Sequence, residues 1–127
     1  MLRHCQRQLV KLLKAKLLAV RLVTQDNRGK ATAGVDGISS LKPAERLHLA
    51  RKLRFDGKAS RIRRIFIPKS SGKLRPLGIP TIEDRAKQML MKFALEPEWE
   101  ARFEINSYGF RPGYSVADAK WCIARQF

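Results

Sequence analysis

Residues 60–80 read SRIRRIFIPKSSGKLRPLGIP, and this stretch decides the fold class. Ile62, Arg63, Arg64, Ile65, Phe66 and Ile67 are β-branched, aromatic or basic, and Leu74 to Ile79 is a second apolar run. Here the periodicity is two, as a strand requires, whereas the flanking segments repeat at three to four. Between the runs, Lys69 to Lys73 (KSSGK) has turn composition. The expectation is a β-hairpin whose strand ends are marked by Pro68, Pro76 and Pro80, because proline lacks the N–H that an inner strand donates. A hairpin among helices gives an α+β class.

Downstream, Thr81 with Asp84 three residues on is an acidic variant of the capping box. It opens a helix with Ile82, Ala86, Met89, Leu90 and Phe93 on one side, which Pro97 ends or bends. Glu96, Glu98, Glu100 and Glu104 form the one acidic patch, among Trp99 and Phe103; they read as solvated surface rather than metal ligands. SYGFRPGYS, from Ser107 to Ser115, is a turn rich in Gly and Pro. Ser115 and Asp118 repeat the capping signature before a last helix with Val116, Ala119, Trp121 and Ile123, which runs to Phe127 without a stop signal, as in a truncated product.

Upstream, Leu2 to Val23 reads as one helix. Leu9, Leu13, Leu17 and Val20 form an apolar stripe, and Arg3, Arg7, Lys11, Lys14 and Arg21 a basic one. No acid stands before Asp26, so a phosphate backbone alongside explains the basic stripe better than a solvated face does. Thr24 to Gly37 reads as a long loop with Arg28 and Lys30 at its tip. Asp36 suits a turn better than a metal site. Pro43 starts a short helix to about Leu53, with Leu47 and Leu49 among its buried positions and Arg46, Arg51 and Lys52 outside.

The 127 residues carry 27 Lys and Arg against 11 Asp and Glu, a net +16. A compact domain so charged repels itself unless a polyanion supplies counter-charge, and nucleic acid is the natural partner. A membrane surface fits less well, since residues 1–23 contain no bulky aromatic residue. No stretch is long and apolar enough to span a bilayer, and no signal-peptide core is present; the expected location is intracellular and cytoplasmic, in a bacterial-type or organellar setting. Cys5 and Cys122 lie at opposite ends, outside any metal-binding spacing, and suit a reducing compartment. There is no repeat or low-complexity tract.

From Ile67 to Ala119 the chain resembles the fingers region of group II intron-type reverse transcriptases, or maturases. The likeness is carried by the P-K-x-x-G-K-x-R-P-L-G-I-P hairpin and the S-Y-G-F-R-P-x-x-S turn. RLVTQDNRGKATAGVDGI, from Arg21 to Ile38, resembles the same family's N-terminal extension and first polymerase block. The resemblance implies a basic helix followed by a fingers-like subdomain with its hairpin packed against helices, as part of a right-hand polymerase fold. It divides the chain into an extension over 1–37 and partial fingers over 38–127. It also implies that Lys69 and Arg75, with Lys73, grip the phosphates of an incoming nucleotide. Short hairpins suit this task, because cations held there lose little rotamer freedom on binding. Basic residues made for solubility are the alternative. The loop with Arg28 and Lys30 matches a lid over the template. Arg63, Arg64 and Arg111 complete the expected RNA- or template-facing set with Arg3, Arg7, Lys11, Lys14 and Arg21, and Tyr108, Phe110 and Tyr114 either stack on bases or pack.

Nucleotidyl transfer in that family needs metal-holding aspartates on a later strand and a Y-A-D-D-type hairpin. Neither occurs in these 127 residues. The expectation is therefore a chain with no catalytic or metal residue, inactive alone, with Mg2+ belonging to the complete enzyme. Its partners would be intron or template RNA, RNA–DNA duplex, nucleotide and the rest of the polymerase. Two alternatives remain at this point: a stand-alone RNA-binding or assembly module derived from such an enzyme, and a ribosome-associated basic protein, which explains the charge but not the motifs.

Overall fold

The computed structural model of the protein describes residues 1–126 and confirms the α+β class. The elements are helices α1 (Leu2–Leu9), α2 (Leu13–Arg21), α3 (Pro43–Lys52), α4 (Ile82–Glu100) and α5 (Val116–Gln126), with strands β1 (Arg63–Pro68) and β2 (Leu74–Ile79) between α3 and α4. The chain divides into two compact units, Met1–Ala94 and Leu95–Phe127, with α4 running through the division. Within the first unit, α2 shares a core with residues of α3 and α4.

That core, in the first unit, joins Ala19 and Val20 to Ala50, Leu53, Ala86 and Leu90, flanked by half-buried Val10, Ala15, Leu49, Met89 and Phe93. Three of its members are alanines with no exposed surface, so a single methyl is what each contributes to the contact. This explains two departures from expectation. Leu13, Leu17 and Leu47 remain 46%, 38% and 39% exposed, while the smaller Ala19, Val20, Val23 and Ala50 beside them are buried. The expected face of α4 is present, with Ile82, Ala86 and Leu90 buried.

The single N-terminal helix is broken. Leu12 is extended (φ −63°, ψ 126°), and the ladder first tightens to three-residue steps, Lys11 N–H to Gln8 O at 3.0 Å and Leu12 N–H to Leu9 O at 3.1 Å. No Gly or Pro marks the break. An unbroken helix would align Arg3, Arg7, Lys11 and Lys14 at repulsive spacings with no acid between them; two shorter helices relieve that. Thr24 to Gly37 is also less irregular than expected, with a π turn over Leu22–Asp26 and a 3-10 turn over Arg28–Ala31. Asp36 takes its structural role, its Oδ1 accepting the Ile38 N–H at 3.2 Å.

β1 and β2 pair antiparallel, Arg63 with Ile79 through to Pro68 with Leu74. Lys69 N–H donates to Lys73 O (2.9 Å) and Gly72 N–H to Lys69 O (3.0 Å). Gly72, at φ +75°, occupies the left-handed position that closes such a three-residue loop. Packing of the hairpin is confined to its base: Ile79 is buried and Ile65 half-buried, and the other ten strand residues are exposed. The base is fixed by one carboxylate. Asp84, 7% exposed, accepts Ser60 N–H at 2.9 Å and Thr81 Oγ1–H at 3.1 Å, while its own N–H donates to Thr81 Oγ1 at 3.2 Å. The expected cap of α4 is thus also the anchor of the chain entering β1.

The second unit holds α5, capped as expected: Ser115 N–H and Oγ–H donate to Asp118 Oδ2 at 2.7 and 2.6 Å. Pro97 does not end α4, which continues to Glu100. The extension of α5 to Phe127 lies outside the described residues.

Two outcomes follow from the caps. Asp84→Ala orphans the Ser60 amide and should cost about 2 kcal/mol of stability, with amide exchange rising first at the hairpin base. The Ser115 hydroxyl and amide hold the Asp118 carboxyl below its ordinary 3.8. Its contribution to α5 is therefore complete above that value and disappears as pH falls through the lowered folded value; amide chemical shifts of Val116 to Ala119 should report the loss, and should not move in Asp118→Asn.

Candidate nucleic-acid interface

Residues paired across an antiparallel ladder share a face, and alternate residues share it along each strand. The register therefore puts Arg63, Ile65, Ile67, Arg75, Leu77 and Ile79 on one face of the hairpin and Arg64 and Phe66 on the other. Lys69 and Lys73 close the tip opposite each other, two residues beyond Ile67 and before Arg75 respectively. The structure thus brings Lys69, Lys73 and Arg75 together at the exposed tip, with Arg63 at the base of Arg75's face and Arg64 turned away from it. Among the described residues none of Lys69, Lys73 and Arg75 has an ion-pair partner, so no internal anion competes for them.

The Arg28–Lys30 loop lies at the hairpin's base. Arg85 of α4 donates from Nη1 to Gly29 O (3.0 Å) and from Nη2 to Thr32 O (2.7 Å), and Arg63 Nη1 reaches Ala33 O at 3.5 Å. A Cβ on Gly34 would stand 2.9 Å from Thr81 Cα and 3.0 Å from Pro80 O, a backbone-on-backbone approach that only glycine permits. Arg28 is exposed, and Lys30 is exposed while its ammonium donates to Gln25 O at 2.8 Å. Arg85 and Gly34 were missed in the sequence. Nothing local distinguishes Arg85 from the surface cations around it, since its partners are more than fifty residues away.

The basic stripe of the N-terminus is divided by the break at Leu12. Arg3 and Arg7 lie one turn apart on α1, Lys11 lies in the break, and Lys14 and Arg21 lie on α2, all exposed. Arg21 is paired with Asp26 at 3.5 Å.

Arg111, expected among the RNA- or template-facing residues, makes internal contacts. Its side chain is 9% exposed, and it is spent inside the second unit. Nε and Nη2 donate to Glu100 Oε1, and Nη1 to Glu104 O (3.1 Å) and Ser107 O (2.8 Å). The guanidinium also lies over the rings of Phe103 and Tyr114, 5.5 and 4.6 Å from their centroids. Its hydrogen bond to the Glu100 carboxylate raises its already high pKa. Arg111 therefore pins the SYGFRPGYS turn. Its partners also correct the reading of the acidic patch, since Glu100 is a structural counter-ion and Glu98 pairs with Arg102 at 2.6 Å. Of the turn aromatics, Tyr108 and Tyr114 pack edge to face at 5.7 Å, and Phe110 stands fully exposed at φ +61°.

Charge separates the units. Met1–Ala94 contains 23 of the 27 Lys and Arg and six of the 11 Asp and Glu, a net +17. The four cations and five acids that remain leave the second unit at −1. Among the described residues no three His, Cys, Asp or Glu side chains are grouped so as to hold a metal ion, and no helix is long and apolar enough to cross a membrane.

Residues 1–53 match the family described as the N-terminal domain of reverse transcriptase. The chain is similar to protein YkfC of Escherichia coli strain K12, 44% identical over 103 residues, which is 76% of this chain and 27% of that protein. It is 40% identical over 111 residues to maturase-like protein 1 of Euglena gracilis, covering 83% of this chain and 24% of the relative. To the group II intron-encoded protein LtrA of Lactococcus lactis it is 45% identical over 67 residues, 52% of this chain and 11% of the relative. The chain thus spans about a quarter of the length of the first two of these relatives.

Because Arg111 is internal, Arg111→Lys, which keeps the charge but loses the fork, should open the second unit to limited proteolysis around Ser107 to Tyr114. Nucleic-acid affinity, measured in parallel, should stay within about twofold of the original, as it should for an unmade phosphate contact.

Proposed function

Since this chain belongs to the group II intron-type reverse transcriptase and maturase family, of which it is an N-terminal region, we propose that its first unit holds intron or template RNA. In a complete enzyme its hairpin tip would bind the phosphates of the incoming nucleotide. The observation that carries the proposal is the tip itself: Lys69, Lys73 and Arg75 are exposed and without internal ion pairs, in a unit of net +17.

The chemistry assigned to this chain is binding and orientation. A lysine ammonium acts as a compact point charge and a guanidinium as a planar fork, and a tight turn limits the entropy that each loses when a triphosphate arrives. RNA held along Arg28, Lys30, Arg63 and Arg64 and the α1–α2 cations (Arg3, Arg7, Lys11, Lys14 and Arg21) is bound through counterion release, which carries no sequence preference. Divalent Mg2+ neutralises phosphate charge in nucleotidyl transfer. That ion belongs to the complete enzyme in our reading, which gives this chain binding and orientation and no catalytic step, so that it would not polymerise alone. The template, a duplex and the nucleotide are its partners, with the remainder of a polymerase, inside a cell. A stand-alone RNA-binding module is the second reading, favoured by the confinement of all excess charge to one unit.

Binding to single-stranded RNA should weaken roughly 300-fold between about 50 and 200 mM salt if six phosphates are contacted. A flat salt profile in a filter-binding titration would rule out the proposed RNA face. In a complete polymerase carrying this region, Lys69→Ala or Arg75→Ala should raise the KM for nucleotide about tenfold or more while RNA affinity changes less. Equal losses in both would favour the binding-module reading.

A further inference from the structure

We propose that Arg85 is a positioning residue that fixes the Arg28–Lys30 loop at the hairpin's base, so that loop and hairpin cations meet one RNA strand together. The inference rests on the RNA-binding reading above and adds a residue whose own charge touches no phosphate. Arg85 follows the anchoring Asp84 on the first turn of α4. Its two Nη atoms reach the carbonyl oxygens of Gly29 and Thr32 at 3.0 and 2.7 Å, and its Nε is buried without a hydrogen-bond partner among the described residues.

Those carbonyls belong to the 3-10 turn Arg28–Ala31 and the residue that follows it; Gly29 O also accepts the Thr32 N–H at 3.1 Å, so Arg85 adds a second bond to it and caps the Thr32 O at the turn's end. Two oxygens from one short turn are matched by two nitrogens of one planar group; a lysine, with a single ammonium, has no such fork. A second pin stands beside the first and does not depend on it: Gly34 lies against Pro80 and Thr81 with no room for a Cβ. Between them, Ala33 O lies 3.5 Å from Arg63, the cation on Arg75's hairpin face. Residues 29 to 34 are therefore held in succession by α4, β1 and the β2–α4 junction. Arg28 and Lys30, exposed at the turn, inherit their position from these contacts.

The test is a set of double-mutant cycles in the 127-residue chain, with a single-stranded RNA of about twenty nucleotides at low salt. In the original chain, Arg28→Ala with Lys30→Ala should weaken binding roughly tenfold. In an Arg85→Gln background the same pair of changes should cost less than about twofold, because the loop no longer stands where its cations count. Arg85→Lys should behave like Arg85→Gln. Gly34→Ala, which leaves Arg85 intact, should silence Arg28 and Lys30 in the same way, and it decides the matter alone if the Arg85 variants do not fold. A pair effect of equal size in all backgrounds, or none in the original chain, overturns the positioning role while leaving the RNA face standing. An original chain that ignores RNA at low salt overturns both.

Discussion

A single buried carboxylate holds the first unit's parts in relation to one another. Asp84 caps α4, satisfies the Thr81 hydroxyl and captures the Ser60 amide at the entrance to β1. An aspartate 7% exposed is tolerated inside a protein only when it is hydrogen-bonded, and here its carboxylate is bonded by Ser60, before β1, and by Thr81, after β2. Both ends of the hairpin are thereby referred to one helix. The tip extends into solvent with little packing of its own, so its direction is set almost wholly at the base.

Electrostatics and packing pull against each other in this unit. Its core is small, built around three alanines, one valine and two leucines, while its surface carries a large excess of positive charge. Such a body is stabilised by anything that brings negative charge to its surface. The few acids it has are already committed: Glu83 and Asp56 pair with Lys87 at 3.2 and 3.3 Å, and Asp26 pairs with Arg21. The second unit follows another logic, with half-buried Arg111 neutralised by Glu100 and steadied by aromatic rings.

Much of this was legible in the residues. The hairpin, its turn and the apolar face of α4 follow from local periodicity, and both Asp-containing caps follow from spacing alone. These features are decided within a few residues of chain. What escaped was decided at a distance. The break at Leu12 has no Gly or Pro to announce it, and the preference for Ala19 and Ala50 over Leu17 and Leu47 reflects how closely helices approach, which no single segment encodes. Arg111 and Arg85 were misjudged or overlooked for one reason: in a chain with so many cations, composition cannot say which of them turns inward. Glu100 was the available clue for Arg111, and the glycine at position 34 was the clue for the strapped loop.

The manner in which that loop is held has a consequence for how it can evolve. Arg85 and Arg63 read carbonyl oxygens, which every amino acid supplies. The residues at 29, 32 and 33 can therefore drift without releasing the clasp, and position 34, where a methyl has no room, is the exception. Charge and shape at the tip of the turn are left open to change, so a lineage could retune what the loop touches while inheriting unchanged the place from which it touches it.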